Sequence, residues 1–236
     1  MNILITNDDG INSPGIMKLA EAAKNFGNVF VVAPDGQRSC ISHCFTYGRA
    51  ITLRKAVFPV KDVEAYSCDG TPADAVRIAV TKLYENEIDY VFAGINDGYN
   101  ISKDIQYSGT VAAAMEAVSF GIQAIAVSQG SYEFEGYADK YLVSIIDECI
   151  KKPLGKNKIW NINFPACAIE DCKGIMRDTK VSTDTFYDDG YSKKVIDEKT
   201  TEYSIITRRI WKAEKGSDLE AIIKNYISVG VVTNIG

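Results

Sequence analysis

Histidine is nearly absent: His43 is the only one in 236 residues. A zinc centre built on imidazole is therefore disfavoured. The six cysteines, Cys40, Cys44, Cys68, Cys149, Cys167 and Cys172, form no CxxC pair and read as scattered reduced thiols rather than a disulfide framework. A long basic run is also missing. The 26 Lys and Arg stand against 31 Asp and Glu, a formal net charge of −5. Such a balance repels a nucleic-acid polymer, but leaves a small anionic substrate open if a metal ion neutralises it locally. No apolar run approaches the roughly eighteen residues of a membrane span, and none resembling a secretory h-region precedes the first strand candidate. The expectation is a soluble, cytoplasmic protein with no membrane partner.

What is present is ordinary for a globular domain: 46% hydrophobic and 24% charged residues, in a length that suits one α/β domain with an appendage. Residues 2–6, 28–33, 89–94, 123–128 and 158–163 are short, apolar and β-branched, as buried parallel strands are. Helical periodicity lies between them, in Ile16, Leu19, Ala20 and Ala23, in Val76, Ala79, Val80 and Leu83, in Val111, Ala114, Met115 and Val118, and in Leu142, Ile145, Ile146 and Cys149. Ser13-Pro14 and Thr71-Pro72 place a capping hydroxyl before a proline at the first helical position, and Ser108 can cap the third helix.

The alternation predicts a Rossmann-like doubly wound α/β fold, a mostly parallel sheet with a β-rich C-terminal extension. The α/β domain is expected over 1–164, with a β excursion near 40–70. The extension is expected over 165–236, with a short helix near 217–226. A hairpin alone is marginal in water, so the extension is suited to oligomerisation.

Ligands of open α/β sheets bind outside the carboxyl ends of the strands. The first strand is followed by Asn7-Asp8-Asp9-Gly10. Adjacent carboxylates repel unless a cation sits between them, and oxygen ligands suit Mg²⁺ or Mn²⁺; the same tetrapeptide also reads as a solvated turn. Ser39, after the second strand, can add a neutral oxygen or be part of a polar loop. Asn96 can add a carbonyl oxygen. Ser108-Gly109-Thr110 opens a helix and offers free N–H groups to a phosphate, or is simply an N-cap. Together the pieces suggest phosphoryl chemistry, with a metal polarising a phosphoryl oxygen or activating water. Asp8 and Asp9 are candidates for orienting that water. His43 is a candidate general acid, or a histidine with no catalytic role.

The chain resembles the SurE (survival protein E) nucleotidases in ILITNDDGINSPGI at 3–16, VVAPDGQRSCISHCFT at 31–46, DGTPADAVRIAV at 69–80, GINDGYN at 94–100, YSGTVAAAMEA at 107–117 and WNINFP at 160–165. The resemblance implies a metal-dependent 5′-nucleotidase acting on nucleoside monophosphates, with activity also on 3′-nucleotides and short polyphosphate. It implies one divalent ion per subunit held by Asp8, Asp9, Ser39 and Asn96, with Asp8, Asp9 and Asn96 catalytic. Asn7, Gly10, Ser108, Gly109 and Thr110 would bind substrate, and a homodimer or homotetramer would form through the extension. Two departures stand out: Cys40 replaces the usual glycine after the serine ligand, and Gly230-Val231-Val232 replaces the usual Thr-Pro-Leu.

Two other readings compete. A phospho-aspartyl phosphatase resembles Asp-x-Asp after its first strand, whereas these aspartates are adjacent. A signalling receiver domain also binds Mg²⁺ with an acidic pair, but the later strand here ends Val127-Ser128-Gln129 with no lysine.

Overall fold

The computed structural model describes residues 1–85 and 87–234. Ile235 and Gly236, the end of the closing YISVGVVTNIG segment, lie outside the described residues.

In chain order the elements are β1 (Asn2–Thr6), α1 (Pro14–Ala23), β2 (Asn28–Pro34), β3 (Leu53–Lys55), β4 (Glu64–Cys68), α2 (Pro72–Ile78), β5 (Tyr90–Asp97), α3 (Gly109–Ser119), β6 (Gln123–Gln129), α4 (Val143–Ile150), β7 (Lys158–Phe164), β8 (Ile175–Thr179), β9 (Tyr187–Val195), β10 (Thr201–Arg209), α5 (Asp218–Ile223) and β11 (Ile227–Thr233). Among the described residues a nine-stranded sheet runs β3-β4-β2-β1-β5-β6-β7-β11-β8. The six strands from β4 to β7 are parallel, while β3 and β11 each pair antiparallel with a neighbour. This is the doubly wound α/β fold that the alternation predicts.

Helices cover both faces, and β1 shows why. Its odd residues Ile3 and Ile5 pack with Ile16, Leu19, Ile145 and Ile146 of α1 and α4. Leu4 points the other way, to Ala75 and Val76 of α2 and Val111 and Ala114 of α3. A strand buried on both sides must be apolar at every position, and each such side chain contributes about 1.5–3 kcal/mol of burial. The caps lie where the hydroxyl–proline pairs put them. Ser13 accepts from Ile16 N, Thr71 and Asp74 form a capping box, and Ser108 accepts from Val111 N.

Two regions differ from the sequence pattern. Only Leu53–Lys55 and Glu64–Cys68 of the 40–70 excursion are strands. The stretch before them is tied down by side chains instead: Asp74 accepts from Thr46 N at 3.0 Å, and Asp69 accepts from Arg49 at 3.1 Å and from Thr52 N at 3.0 Å. In the C-terminal region, β8 and β11 extend the main sheet, so the sheet crosses the 164/165 boundary. The β9–β10 hairpin forms a separate two-stranded sheet, exposed along nearly its whole length.

Strand order reverses at β1, with β2 on one side and β5 on the other. The loops after β1 and β5 therefore open the crevice in which such folds bind ligands. No helix among the described residues is long and apolar enough to cross a membrane.

Candidate active site

Asp8 leaves the carboxyl end of β1 with only 4% of its surface exposed. Its local loop is folded by Asn7, whose Nδ2 donates to Gly10 O at 3.0 Å and Ser13 Oγ at 2.7 Å, while Oδ1 accepts from Gly10 N at 3.2 Å. Both ends of the Asn7 amide are therefore committed inside the loop. Asn7 positions the aspartates and the α1 cap rather than facing the crevice. Gly10 completes the turn at φ +97°, a backbone region that favours glycine.

The N-terminus of α3 meets Asp8 from the other side. The Thr110 hydroxyl donates to Asp8 Oδ1, and the Thr110 backbone N–H also bonds the carboxylate. Gly109 makes this approach possible. A Cβ there would stand 2.8 Å from Asp8 Cβ and 2.9 Å from Oδ2.

Burial pushes the Asp8 carboxyl up to about 6; the Thr110 hydroxyl opposes the shift and the Asp9 charge adds to it. Asp9 is also raised, again chiefly by burial, with the Asp97 N–H opposing and the Asp97 charge adding. Asp9 Oδ2 accepts from Asp97 N at 3.1 Å and from the Tyr132 hydroxyl at 3.4 Å. Two neighbouring carboxyls, both held above their usual range, form an acceptor set that a hard cation would relieve.

A cavity of about 450 Å³ opens beside them, lined at this end by Asp8, Ser39, Asn96 and Ser108. Ser39 is carried on an exposed loop that Arg38 N ties to Asp8 O at 2.6 Å. The Asn96 Nδ2 donates to Gly98 O at 3.0 Å, which leaves Oδ1 as the acceptor of that amide. The structure thus brings Asp8, Ser39, Asn96 and Ser108 to one cavity. Asp9 stands beside it, Thr110 and Gly109 back Asp8, and Asn7 and Gly10 shape the loop. Among the described residues no three His, Cys, Asp or Glu side chains cluster as a metal site. The donor set here is two carboxylates with neutral serine and amide oxygens, and that chemistry fits Mg²⁺ or Mn²⁺.

Cys40 lines the same cavity at φ +56°, in the left-handed region where glycine is favoured. His43 does not line this cavity but an adjoining pocket that Ser108 also lines; its Nε2 is 2.7 Å from Glu116 Oε2, and Arg77 holds the other Glu116 oxygen at 2.7 Å. Asp35, just after β2, pairs with Arg38 at 2.9 Å.

Sequence reasoning overlooked several residues. Tyr132 reaches Asp9 and the Ile95 carbonyl from the loop after β6, and no local pattern announces it. Asn100 sits under the β5 loop, its N–H on Asn163 Oδ1 at 2.8 Å and its Nδ2 on Ser128 Oγ at 2.8 Å; the polar ends of β6 and β7 were the available signal. Asp104, Tyr187, Asp189, Ile205 and Thr207 also line the cavity.

The arrangement has counterparts. The family model described as "Survival protein SurE" matches residues 3–187. A protein named 5′-nucleotidase SurE from Clostridium botulinum (strain Loch Maree / Type A3) is 44% identical over 179 residues, 74% of this chain and 71% of that one. Its namesake from Thermoanaerobacter sp. (strain X514) is 36% identical over 97% of this chain and 90% of its own. The crystal structure of SurE protein from Aquifex aeolicus superposes with a TM-score of 0.83 at 35% identity, covering 99% of this chain and 93% of that one. With a family match over most of its length and the same fold from end to end, the chain belongs to the SurE family.

Proposed function

We propose that this chain is a divalent-metal-dependent phosphomonoesterase that hydrolyses nucleoside 5′-monophosphates to nucleoside and phosphate. The resemblance adds 3′-nucleotides and short polyphosphate as secondary substrates. The observation that carries the reading is Asp8: a buried carboxyl with its pKa pushed up to about 6, backed by Thr110 and opening onto a cavity with Ser39 and Asn96. The names of the relatives, 5′-nucleotidase SurE, point the same way.

When bound, a divalent cation supplies Lewis-acid polarisation of the phosphoryl group. Asp8, Asp9, Ser39 and Asn96 are the residues that would hold it. Thr110 opposes the burial-driven rise of the Asp8 pKa and orients its carboxylate through a hydroxyl and an amide. Ser108 lines the cavity at the start of α3, where the helix dipole favours the phosphate. A carboxylate of the Asp8–Asp9 pair orients the attacking water and takes its proton. Phosphate release from a nucleotide panel, with and without chelator, tests the assignment. Turnover of monophosphates that chelator abolishes supports it, and full turnover in chelator contradicts it.

We also propose a homodimer or homotetramer built through the C-terminal region. Tyr191, Val195, Tyr203, Ile206 and Trp211 are exposed on and beside the β9–β10 hairpin, an apolar surface of the kind that marks association. Light scattering on the intact chain and on a variant lacking the hairpin tip checks this.

A further inference from the structure

The cavity that begins at Asp8 continues well past the residues assigned to phosphate and metal. It is also lined by Tyr107 and Asp104, from the segment before α3, and by Tyr187, Asp189, Ile205 and Thr207 from the hairpin. At about 450 Å³ it lies within the range of small-molecule sites, larger than a phosphate alone needs. The aromatic and aliphatic members suit a planar, uncharged group. The ionisable members are all acidic: Asp97, Asp104 and Asp189 join Asp8, and no Lys or Arg is among the lining residues.

Asp104 is the pivotal member. Its Oδ2 is buried with no hydrogen-bond partner. A buried acceptor without a donor is costly, and the cavity is where a donor can come from. Asp189 stands on β9, with its Oδ1 accepting from the Thr207 hydroxyl at 2.7 Å. Asp218, behind the wall, is fully engaged with the N–H groups of Ser102, Ser182 and Leu219, and Arg209 packs over the Phe186 ring, 5.9 Å from its centroid.

We propose that Asp104, aided by Asp189, sets substrate choice in this cavity, accepting a hydrogen bond from a hydroxyl or amine on the uncharged part of a phosphate monoester and repelling any substrate that places a second phosphate there. The inference rests on the phosphomonoesterase reading and deepens it. It ranks nucleoside monophosphates above nucleoside diphosphates and above short polyphosphate, and it assigns the ranking to two named carboxylates. Like charges brought together in a partly desolvated cavity cost enough to separate substrates by an order of magnitude.

The test compares Asp104→Asn and Asp189→Asn with wild type at pH 8. Adenosine monophosphate, adenosine diphosphate, tripolyphosphate and p-nitrophenyl phosphate are the probes, with Mg²⁺ or Mn²⁺ present. Both kinetics and equilibrium binding are read. Wild type is expected to favour the monophosphate. Asp104→Asn is expected to raise the diphosphate-to-monophosphate ratio of kcat/KM about tenfold, chiefly through KM, and Asp189→Asn to raise it less. A purely structural role would lower all four probes together. An unchanged ratio in both variants overturns the proposal while leaving the proposed function standing. Wild type that hydrolyses no probe, yet binds monophosphate over diphosphate in an Asp104-dependent way, upholds this proposal and overturns the proposed function.

Discussion

The hydroxyl of Thr110 donates to the carboxylate of Asp8 from 102 residues further along the chain. The bond joins the end of β1 to the start of α3 and sets the orientation of the most buried acid in the site. Removing it with Thr110→Val keeps the side-chain volume and takes away the donor. Partners of this kind change metal affinity or activity by roughly 10–100-fold when lost. Titration of Mg²⁺ or Mn²⁺ against turnover is expected to show that loss with the fold retained by circular dichroism; unaltered affinity and turnover would detach Thr110 from function.

Asp8→Asn separates stability from activity. The Asp8 carboxyl rises from 3.8 to about 6 on folding, so the folded metal-free protein holds this proton more tightly than the unfolded chain. Stability from this group is fully present below pH 3.8 and is lost as pH rises through 6. At pH 8 in chelator, Asp8→Asn is therefore expected to be more stable than wild type, by on the order of 1–3 kcal/mol, while phosphate release is lost. Denaturation at pH 5 and pH 8 checks the sign, since the advantage must shrink at the lower pH.

Gly109→Ala sets two effects against each other. In a helix Ala is favoured over Gly by about 0.5–1 kcal/mol. The new Cβ, however, would stand 2.8 Å from Asp8 Cβ, so Asp8 or the helix start must move. A misplacement near 1 Å can cost about 100-fold in rate. The expected result is a folded protein with kcat/KM lower by at least about tenfold. Normal kcat/KM would show that Asp8 tolerates displacement.

His43→Ala is expected to leave turnover nearly unchanged. His43 is held on Glu116 and is not among the residues that line the cavity beside Asp8, though it shares a neighbouring pocket with Ser108. Burial would raise Glu116, but the His43 hydrogen bond and the Arg77 charge outweigh it and hold its pKa below the usual value. The stability this pairing gives is present above the unfolded pKa and is lost as pH falls through the depressed one. Since His43 and Arg77 are partly exposed, the cost of losing His43 is small, about 0.5–1 kcal/mol. A large loss of kcat with an altered pH profile would restore the general-acid role.

The parallel strands and the caps were legible in the sequence because their causes are local. Ile3, Leu4 and Ile5 are apolar in succession since both faces of β1 are covered, and Ser13, Thr71 and Ser108 cap the helices they precede. Asp8, Ser39, Asn96 and Ser108 were drawn together by their places at or after the carboxyl ends of predicted strands and by the family resemblance, and they line one cavity. Much of what escaped depends on side-chain partners that no periodicity reports. Asn7 reads like a substrate-binding residue in NDDG, and its amide bonds Gly10 and Ser13. Tyr132 reaches Asp9 across 123 residues. The stretch from 45 to 52 has strand-like residues but is held by Asp69 and Asp74 side chains rather than a ladder. The β8 and β11 segments look like the rest of a separate appendage until pairing places Val229 opposite Ile162 of β7.

The central claim, that Asp8 holds a divalent ion for phosphate-ester hydrolysis, meets its most direct test in one measurement. Phosphate release from nucleoside monophosphates is followed in wild type and Asp8→Asn, in chelator and after Mg²⁺ or Mn²⁺ is restored. The account predicts turnover only for wild type with metal. Turnover that persists in chelator, or in Asp8→Asn, would contradict it.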